Sequence, residues 1–457
     1  MHSVSKYLTI LFCIVLLACS EAEDPVGEVR LLSASLNGNP LTSGDQLQEV
    51  SVDASFIFTF SGGIDSDRFN NHFRLTQNGA EVNYETRFAN ESSRVTVQPE
   101  LEAGLTYELN LAAASIGINN GMLDEAFSSQ FTTVESNASQ QPCTSASGNC
   151  FQELTLANDN NQSASFGFYR SYPVYDKTEV TWDQLEQVVL VMHGINRNAG
   201  EYFSWMNSSV SGEGALGRTL VIAPRFVVED EAESGNYFWE RTGWRDGANS
   251  VNEVSISSFA IIDQLLEPLA NTNKFPNLNR VLITGHSSGG LFTHVYAAAN
   301  VAQQENPGWN WQYLPSNSQY YYYPDGRRLQ ENSENLYTPS NCSGYNFWPL
   351  GFRITPEYVS QLERETVNRQ FLERNITYLL GNGNQPDPTL NTEDCSATLL
   401  GSTRFQRGVN MFNYLMEAYP NANHQFLEVD GIGHDGEGIF TSQTFRTWFT
   451  TEFDAGE

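Results

Sequence analysis

A chain of 457 residues with 24 Lys and Arg against 54 Asp and Glu carries a formal charge of −30 at pH 7. That balance argues against a nucleic-acid partner, because phosphate recognition needs clustered cations and a favourable field. At roughly 100–200 residues per domain the length predicts two or three domains with ample core, and an aromatic share of 12% excludes a disordered polymer. Charged residues reach only 17%, below the roughly 25% of ordinary globular chains. Asn, Gln, Ser and Thr carry the polar surface instead, a composition that fits an exported protein.

The first segment opens with Lys6, continues through an apolar tract from Tyr7 to Leu17 and ends at Ala18-Cys19. About 11 apolar residues are too few for a membrane span, which needs roughly 20, but suit the core of a signal peptide. Leu16-Leu17-Ala18-Cys19 resembles the lipobox of bacterial lipoproteins. The resemblance implies removal of 1–18 and a lipid on Cys19; ordinary cleavage beside a chance Cys is the plainer alternative. The acidic run Ser20-Glu21-Ala22-Glu23-Asp24 follows within a tether, 19–27. In some Gram-negative lineages such a run directs lipoproteins to the outer face of the outer membrane, so an outer-membrane, cell-surface location is expected, with membrane contact through the lipid alone; a plain solvated linker is the alternative reading of the run. Cys13 leaves with the signal. Cys143, Cys150, Cys342 and Cys395 remain, an even set for which an oxidising compartment predicts two disulfides, Cys143 with Cys150 and Cys342 with Cys395. Their spacing matches no structural zinc site.

From 28 to 134, short alternating runs lie between Gly, Asn and Asp turns. Phe56-x-Phe58-x-Phe60, Val95-x-Val97 and Leu105-x-Tyr107-x-Leu109-x-Leu111 each set apolar side chains on one strand face. This predicts an all-β sandwich of immunoglobulin type. The segments around Phe58 to Ser61, Val95 to Pro99, Leu105 to Tyr107 and Phe131 to Thr133 resemble the bacterial Ig-like domains found beside secreted catalytic domains. His72 reads as a surface or sandwich-edge residue. The stretch 135–149, rich in Ser, Asn and Gln, reads as a linker.

Beyond Cys150 the texture changes. Apolar runs at 188–192, 220–223, 281–283, 376–380 and 426–429 alternate with helical patterns at 254–270, 289–302, 356–374, 404–419 and 441–451. Near-continuous apolar strands separated by helices predict a doubly wound, mainly parallel sheet in an α/β domain spanning 150–457.

The chemistry concentrates in Gly285-His286-Ser287-Ser288-Gly289-Gly290, set between the strand ending at Thr284 and the helical run from Leu291. G-x-S-x-G between strand and helix is the context of a nucleophile elbow, which presents Ser287 as nucleophile. Its base should lie after the last strand, where Asp430-Gly431-Ile432-Gly433-His434 offers His434. His424 starts that strand, at the far end of the sheet. The acid belongs in the loop after 376–380, where Asp387, Glu393 and Asp394 all stand; Asp387 is nearest the strand end. Oxyanion donors should be the Ser288 N–H and the Ile195 N–H, the latter in the loop His193-Gly194-Ile195-Asn196 after the first core strand.

The order of His193 to Ala199, Ala223-Pro224-Arg225-Phe226, Trp244-Arg245-Asp246-Gly247, Gly285 to Gly290, Arg404, Arg407 and Gly433-His434 resembles a group of secreted α/β-hydrolases, over nearly all of 150–457. The resemblance implies a serine hydrolase of esters. One departure concerns the acid: such proteins carry Asp soon after the Leu-Leu-Gly strand end, and this chain has Asn384. The implied activity is a surface-anchored carboxylesterase needing no metal or cofactor, with acyl groups on polysaccharides, polyesters or lipids as candidate substrates. A peptidase or amidase would use the same machinery, and a binding or adhesion lipoprotein on an inactive hydrolase scaffold is the reading from another class. Aromatics between Trp309 and Gly351 either line a cleft for sugar or aromatic esters or belong to a strand and its packing. Arg327-Arg328 reads as a contact for an acidic substrate or a solvated pair, and 324–354 as a lid or wall.

Overall fold

The computed structural model describes residues 28–37, 39–52, 54–133, 141–176, 180–333 and 335–455. The export segment, Cys19 and the tether lie outside them. Between 28 and 133 the alternation builds two five-stranded sheets. Phe56–Phe60 buries every second residue, and Thr106–Leu111 buries Tyr107, Leu109 and Leu111. Rings from the two sheets meet between them: the Phe58 ring lies 5.9 Å from Phe73 and 5.7 Å from Phe127, and Phe56 lies 5.2 Å from Phe131. The result is a face-to-face sandwich. One element has no counterpart in the sequence pattern, the short helix Ser66–His72, whose N-terminus is capped by Asp65 accepting from the Arg68 N–H at 3.0 Å. It buries Phe69 and leaves His72 exposed; two turns are too few for a helical period to show.

The second body is built on one eight-stranded sheet. Its strands are β1 (Phe151–Ala157), β2 (Ser163–Arg170), β3 (Gln187–Met192), β4 (Thr219–Pro224), β5 (Arg280–His286), β6 (Asn310–Ser316), β7 (Ile376–Gly381) and β8 (His424–Val429). They lie in the order β1-β2-β4-β3-β5-β6-β7-β8. β1, β2 and β4 pair antiparallel, and every pairing from β4 to β8 is parallel. This is the doubly wound α/β-hydrolase sheet. All of β3, β4 and β7 is buried, which is why their sequences read as unbroken apolar runs. Register sets the C-terminal ends of β3, β5 and β6 level, with Met192 opposite Gly285 and Gly285 opposite Pro315. The chain leaves β3 toward β4 and returns to β5 on its other side, so a crevice opens there.

β6 was legible only as an aromatic stretch. It contains Pro315, which removes a ladder donor and masks the strand pattern; at the strand's last turn it costs little. Of the two readings of the aromatic run, the strand and its packing accounts for Trp311, Tyr313, Tyr321, Tyr322 and Tyr323, which are buried. The helices are Ala199–Gly212, Ser258–Leu266, Ser288–Ala299, Arg364–Glu373, Arg404–Ala418 and Gln443–Trp448, with shorter turns between; the first of them, which follows the loop after β3, was not among the helices expected from the sequence. The expected 356–374 helix is two, Glu357–Ser360 and Arg364–Glu373, because the chain is extended at Glu363. No helix among the described residues is long and apolar enough to cross a membrane.

The 324–354 segment folds over the C-terminal ends of the strands as a wall. Its anchor is Arg328, buried, with its guanidinium 3.9 Å from the Tyr323 ring centre and donating to the Tyr345 carbonyl at 2.6 Å and the Leu350 carbonyl at 3.0 Å. Arg327 pairs with Asp325 at 2.7 Å. Neither arginine is therefore left over for an acidic substrate. Disulfides join Cys143 to Cys150 and Cys342 to Cys395, the second spanning 53 residues and tying the wall to the loop after β7. Replacing Cys342 and Cys395 together with Ser should lower the unfolding free energy by about 2–4 kcal/mol, since closing a loop of this length removes unfolded-state entropy; urea unfolding of the variant against the parent measures it.

Candidate active site

Between β5 and the helix Ser288–Ala299 the chain reverses at Ser287, whose backbone sits at φ 61°, ψ −113°. A side-chain-bearing residue adopts this region at a cost and only when its surroundings enforce it. Here the Ser287 N–H donates to the Ser316 carbonyl at 3.0 Å, and the Ser287 carbonyl accepts from Leu291 at 3.1 Å. The neighbouring glycines are dictated by close backbones: a Cβ on Gly289 would lie 2.2 Å from the Met192 carbonyl, and one on Gly290 2.3 Å from that of Ser316. The turn is clamped between the ends of β3 and β6.

The loop after β3 faces it. A Cβ on Gly194 would lie 3.9 Å from the Ser287 Cβ and 3.1 Å from the Tyr202 hydroxyl. His193 holds the base of this loop: its Nε2 accepts from the Phe226 N–H at 3.1 Å, its ring lies 4.5 Å from Trp244, and burial pushes its pKa down to about 4. A neutral imidazole is what that acceptor role requires. Arg197, at φ 57°, donates to the Ile195 carbonyl at 2.8 Å and pairs with Glu231 at 2.6 Å. The Ile195 N–H donates to no backbone carbonyl among the described residues. Ser288 opens its helix, so its N–H has no intrahelical acceptor.

His434 follows β8. Its ring stacks on His286, the residue before Ser287, at 4.9 Å and 26°. Its Nδ1 lies 3.3 Å from Asp387 Oδ1, and its Nε2 is buried without a hydrogen-bond partner. The carboxylate favours the proton on Nδ1, leaving the Nε2 lone pair available. Burial, helped by the Arg404 charge and opposed by Asp387, lowers His434 to about 4. Burial alone would raise Asp387, but the Thr389 hydroxyl, Arg404 and His434 outweigh it and bring the carboxyl down to about 2. At neutral pH the pair is a carboxylate beside a neutral imidazole. Of the three carboxylates in this loop, Asp387 meets His434; Asp394 accepts from Asn391 at 2.6 Å, and Glu393 is exposed. Asn384, at the position where the resembled hydrolases carry Asp, is exposed too.

Three residues without an assigned role hold these loops together. Asn317, buried and at φ 42°, accepts from the Gly381 N–H at 2.8 Å and donates to the Gly433 carbonyl at 2.8 Å. It links the loops after β6 and β8 to the end of β7. Arg404 pairs with Asp387, and its guanidinium also donates to the Thr389 hydroxyl at 2.9 Å. Arg407 donates to the carbonyls of Gly401, Gln319 and Asn391 at 2.9, 3.2 and 2.6 Å. Two cations a helical turn apart at the start of an otherwise amphipathic helix were the available signal; Asn317 had none, because β6 itself was masked. No group of three or more His, Cys, Asp or Glu suited to a metal ion occurs among the described residues.

No protein-family model matches the chain, and no curated protein matches it in sequence. Among solved structures, it is similar to a poly(3-hydroxybutyrate) depolymerase from Bordetella parapertussis, at 19% identity over 67% of this chain and 91% of that one, with a TM-score of 0.45. A poly(aspartic acid) hydrolase from Sphingomonas shares 16% identity over 63% and 95%, with a TM-score of 0.43. A siderophore hydrolase from Aspergillus nidulans shares 15% over 67% and 95%, at 0.36.

Asn317→Ala removes two buried hydrogen bonds and leaves a residue with a Cβ at positive φ without its side-chain support. The expected cost is about 2–3 kcal/mol, read from urea unfolding, with an activity loss that the rest of the sheet does not share.

Proposed function

We propose that this chain is a serine hydrolase that cleaves carboxylic esters through an acyl-enzyme. The observation that carries the reading is a strained Ser287 whose chain neighbour His286 stacks on a neutral His434, which the ionised Asp387 holds at Nδ1. Ser287 Oγ attacks the ester carbonyl while His434 Nε2 takes its proton. The tetrahedral oxyanion is held by the N–H groups of Ile195 and Ser288, each donor contributing roughly 10²–10³ in rate. Collapse expels the alcohol, which takes the proton from His434, and the acyl group stays on Ser287. Water then repeats the sequence with His434 as base, releasing the acid. Asp387 stabilises the imidazolium that forms in each half, and Arg404 keeps Asp387 ionised. None of these steps calls for a metal or organic cofactor.

The lipobox-like Cys19 and the acidic run after it support an exported lipoprotein, outward-facing on the outer membrane. In that arrangement the sandwich at 28–134 and linker 135–149 would carry the hydrolase at 150–457 away from the bilayer. A tethered enzyme meets esters carried by extracellular polymers, so acylated polysaccharides or polyesters are the substrates this reading favours.

Hydrolysis of 4-nitrophenyl butyrate tests the chemistry. Ser287→Ala should abolish turnover while the protein stays folded, and Asp387→Asn should lower kcat by about 10³–10⁴ through loss of the correct His434 tautomer. Turnover equal in parent and Ser287→Ala would end the proposal. Because burial holds His434 near pKa 4, its active neutral form persists far below the ordinary histidine range. kcat/KM should therefore stay flat from pH 8 down to about 5 and fall only as pH drops through about 4; a limb near 6.5 would contradict the assigned environment.

A further inference from the structure

Three cations around the crevice are used internally. Arg197 is paired with Glu231, Arg404 with Asp387, and Arg407 is spent on three carbonyls. Arg245 differs. It lies in the turn Gly243–Asp246, seated by Trp244, which stacks on Phe226 at 5.3 Å, meets His193 at 4.5 Å and reaches Phe292, one turn into the helix after Ser287, at 6.4 Å. The Trp348 indole donates to the Asp246 carbonyl at 2.6 Å, fixing the wall segment to the same turn. The Arg245 guanidinium lies 5.3 Å from the ring centre of Tyr320, which follows the end of β6 and whose hydroxyl accepts from Asn391 of the acid loop at 3.0 Å. Through Trp244 the turn of Arg245 packs on the base of the loop that carries Ile195, and through Tyr320 it is linked to the loop that carries Asp387.

The guanidinium is half-buried, and its Nε is buried with no hydrogen-bond partner. Burial pulls its pKa down, against Asp246 and Tyr320; the neighbouring Asp246 is itself raised to about 6 by burial and makes no ion pair with it among the described residues. In a chain with more than twice as many acidic as basic residues, 54 against 24, carboxylates were plentiful. Withdrawing a cation from water without a carboxylate hydrogen-bonded to it costs free energy that Asp246 nearby offsets only in part. A planar fork steadied over an aromatic ring is arranged to receive a carboxylate through two parallel hydrogen bonds.

We propose that Arg245 recognises a carboxylate on the substrate, so that the esters cleaved at Ser287 are acidic ones, with a free carboxylate on the acyl or the alcohol side. The catalytic part of this inference rests on the serine-hydrolase reading; the binding part does not.

Two measurements on the full-length protein test it. Calorimetry with glutarate, against the neutral 1,5-pentanediol, should show binding of the dianion alone, weakened by about 10- to 100-fold in Arg245→Gln and only partly restored in Arg245→Lys, which keeps charge but loses the fork. Kinetics should compare mono-4-nitrophenyl glutarate with 4-nitrophenyl valerate, and 4-carboxyphenyl butyrate with phenyl butyrate. At least one anionic ester should exceed its neutral match by about 10-fold or more in kcat/KM, through KM, and that ratio should approach one in Arg245→Gln. A parent protein that neither binds glutarate nor prefers either anionic ester overturns the inference whatever the variants do, as does a preference that survives in Arg245→Gln. Glutarate binding that depends on Arg245 in a protein with no Ser287-dependent turnover would sink the hydrolase reading and leave the carboxylate site standing. Neutral-ester turnover lost in Ser287→Ala, without Arg245-dependent binding, would do the reverse.

Discussion

The backbones of β3 and β6 close on the turn that follows β5 so tightly that no side chain fits at Gly289 or Gly290. That contact turns the free energy of a packed sheet into a fixed, unfavourable backbone angle at Ser287. Strain of this kind survives only where neighbouring structure over-determines it, and here it is over-determined by hydrogen bonds to Ser316 and Leu291 and by buried strands on either side. Every other part of the site is placed relative to this turn. The loop after β3 approaches it because Gly194 has no Cβ, and His434 reaches it by stacking on His286.

Electrostatics in the crevice follow from burial more than from pairing. His193, His286 and His434 all have their pKa values lowered, with burial the foremost cause in each, and the same holds for His294 and His424, which lie away from it. His286, buried beside the base, stays neutral and so adds no charge that would oppose proton uptake by His434. Asp387 is ionised instead, its pKa depressed by Thr389 and Arg404 ahead of the imidazole. Arg404 thus has two opposite effects: it holds the carboxylate ionised and makes the nearby imidazole a weaker base. The balance leaves a neutral acceptor against an anionic support.

What the sequence made legible depended on how local the cause was. The elbow could be read because strand, turn glycines and helix are contiguous, and the core strands because burial on both faces leaves unbroken apolar runs. β6 was hidden by Pro315 and by aromatics whose burial depends on helices far away in sequence. Asn317 and Arg328 were illegible for a related reason: their partners, Gly381 and Gly433 for one, Tyr323, Tyr345 and Leu350 for the other, are set by tertiary contact alone. The acid was narrowed to a loop but separated from Glu393 and Asp394 only by geometry, since carboxylates in a polar loop look alike until one of them meets an imidazole.

The bond between Cys342 and Cys395 gives assembly of the site a chemical order. Sheet ladders form by backbone pairing in any compartment, but this link forms only when two thiols give up electrons to an oxidant. Without that link the wall and the loop after β7 are still joined, by the Ser402 N–H and hydroxyl donating to Glu331 at 2.7 and 2.6 Å. What oxidation adds is a covalent limit on how far the two segments can separate, so the redox state of two thiols bears on the freedom of the loop that carries Asp387.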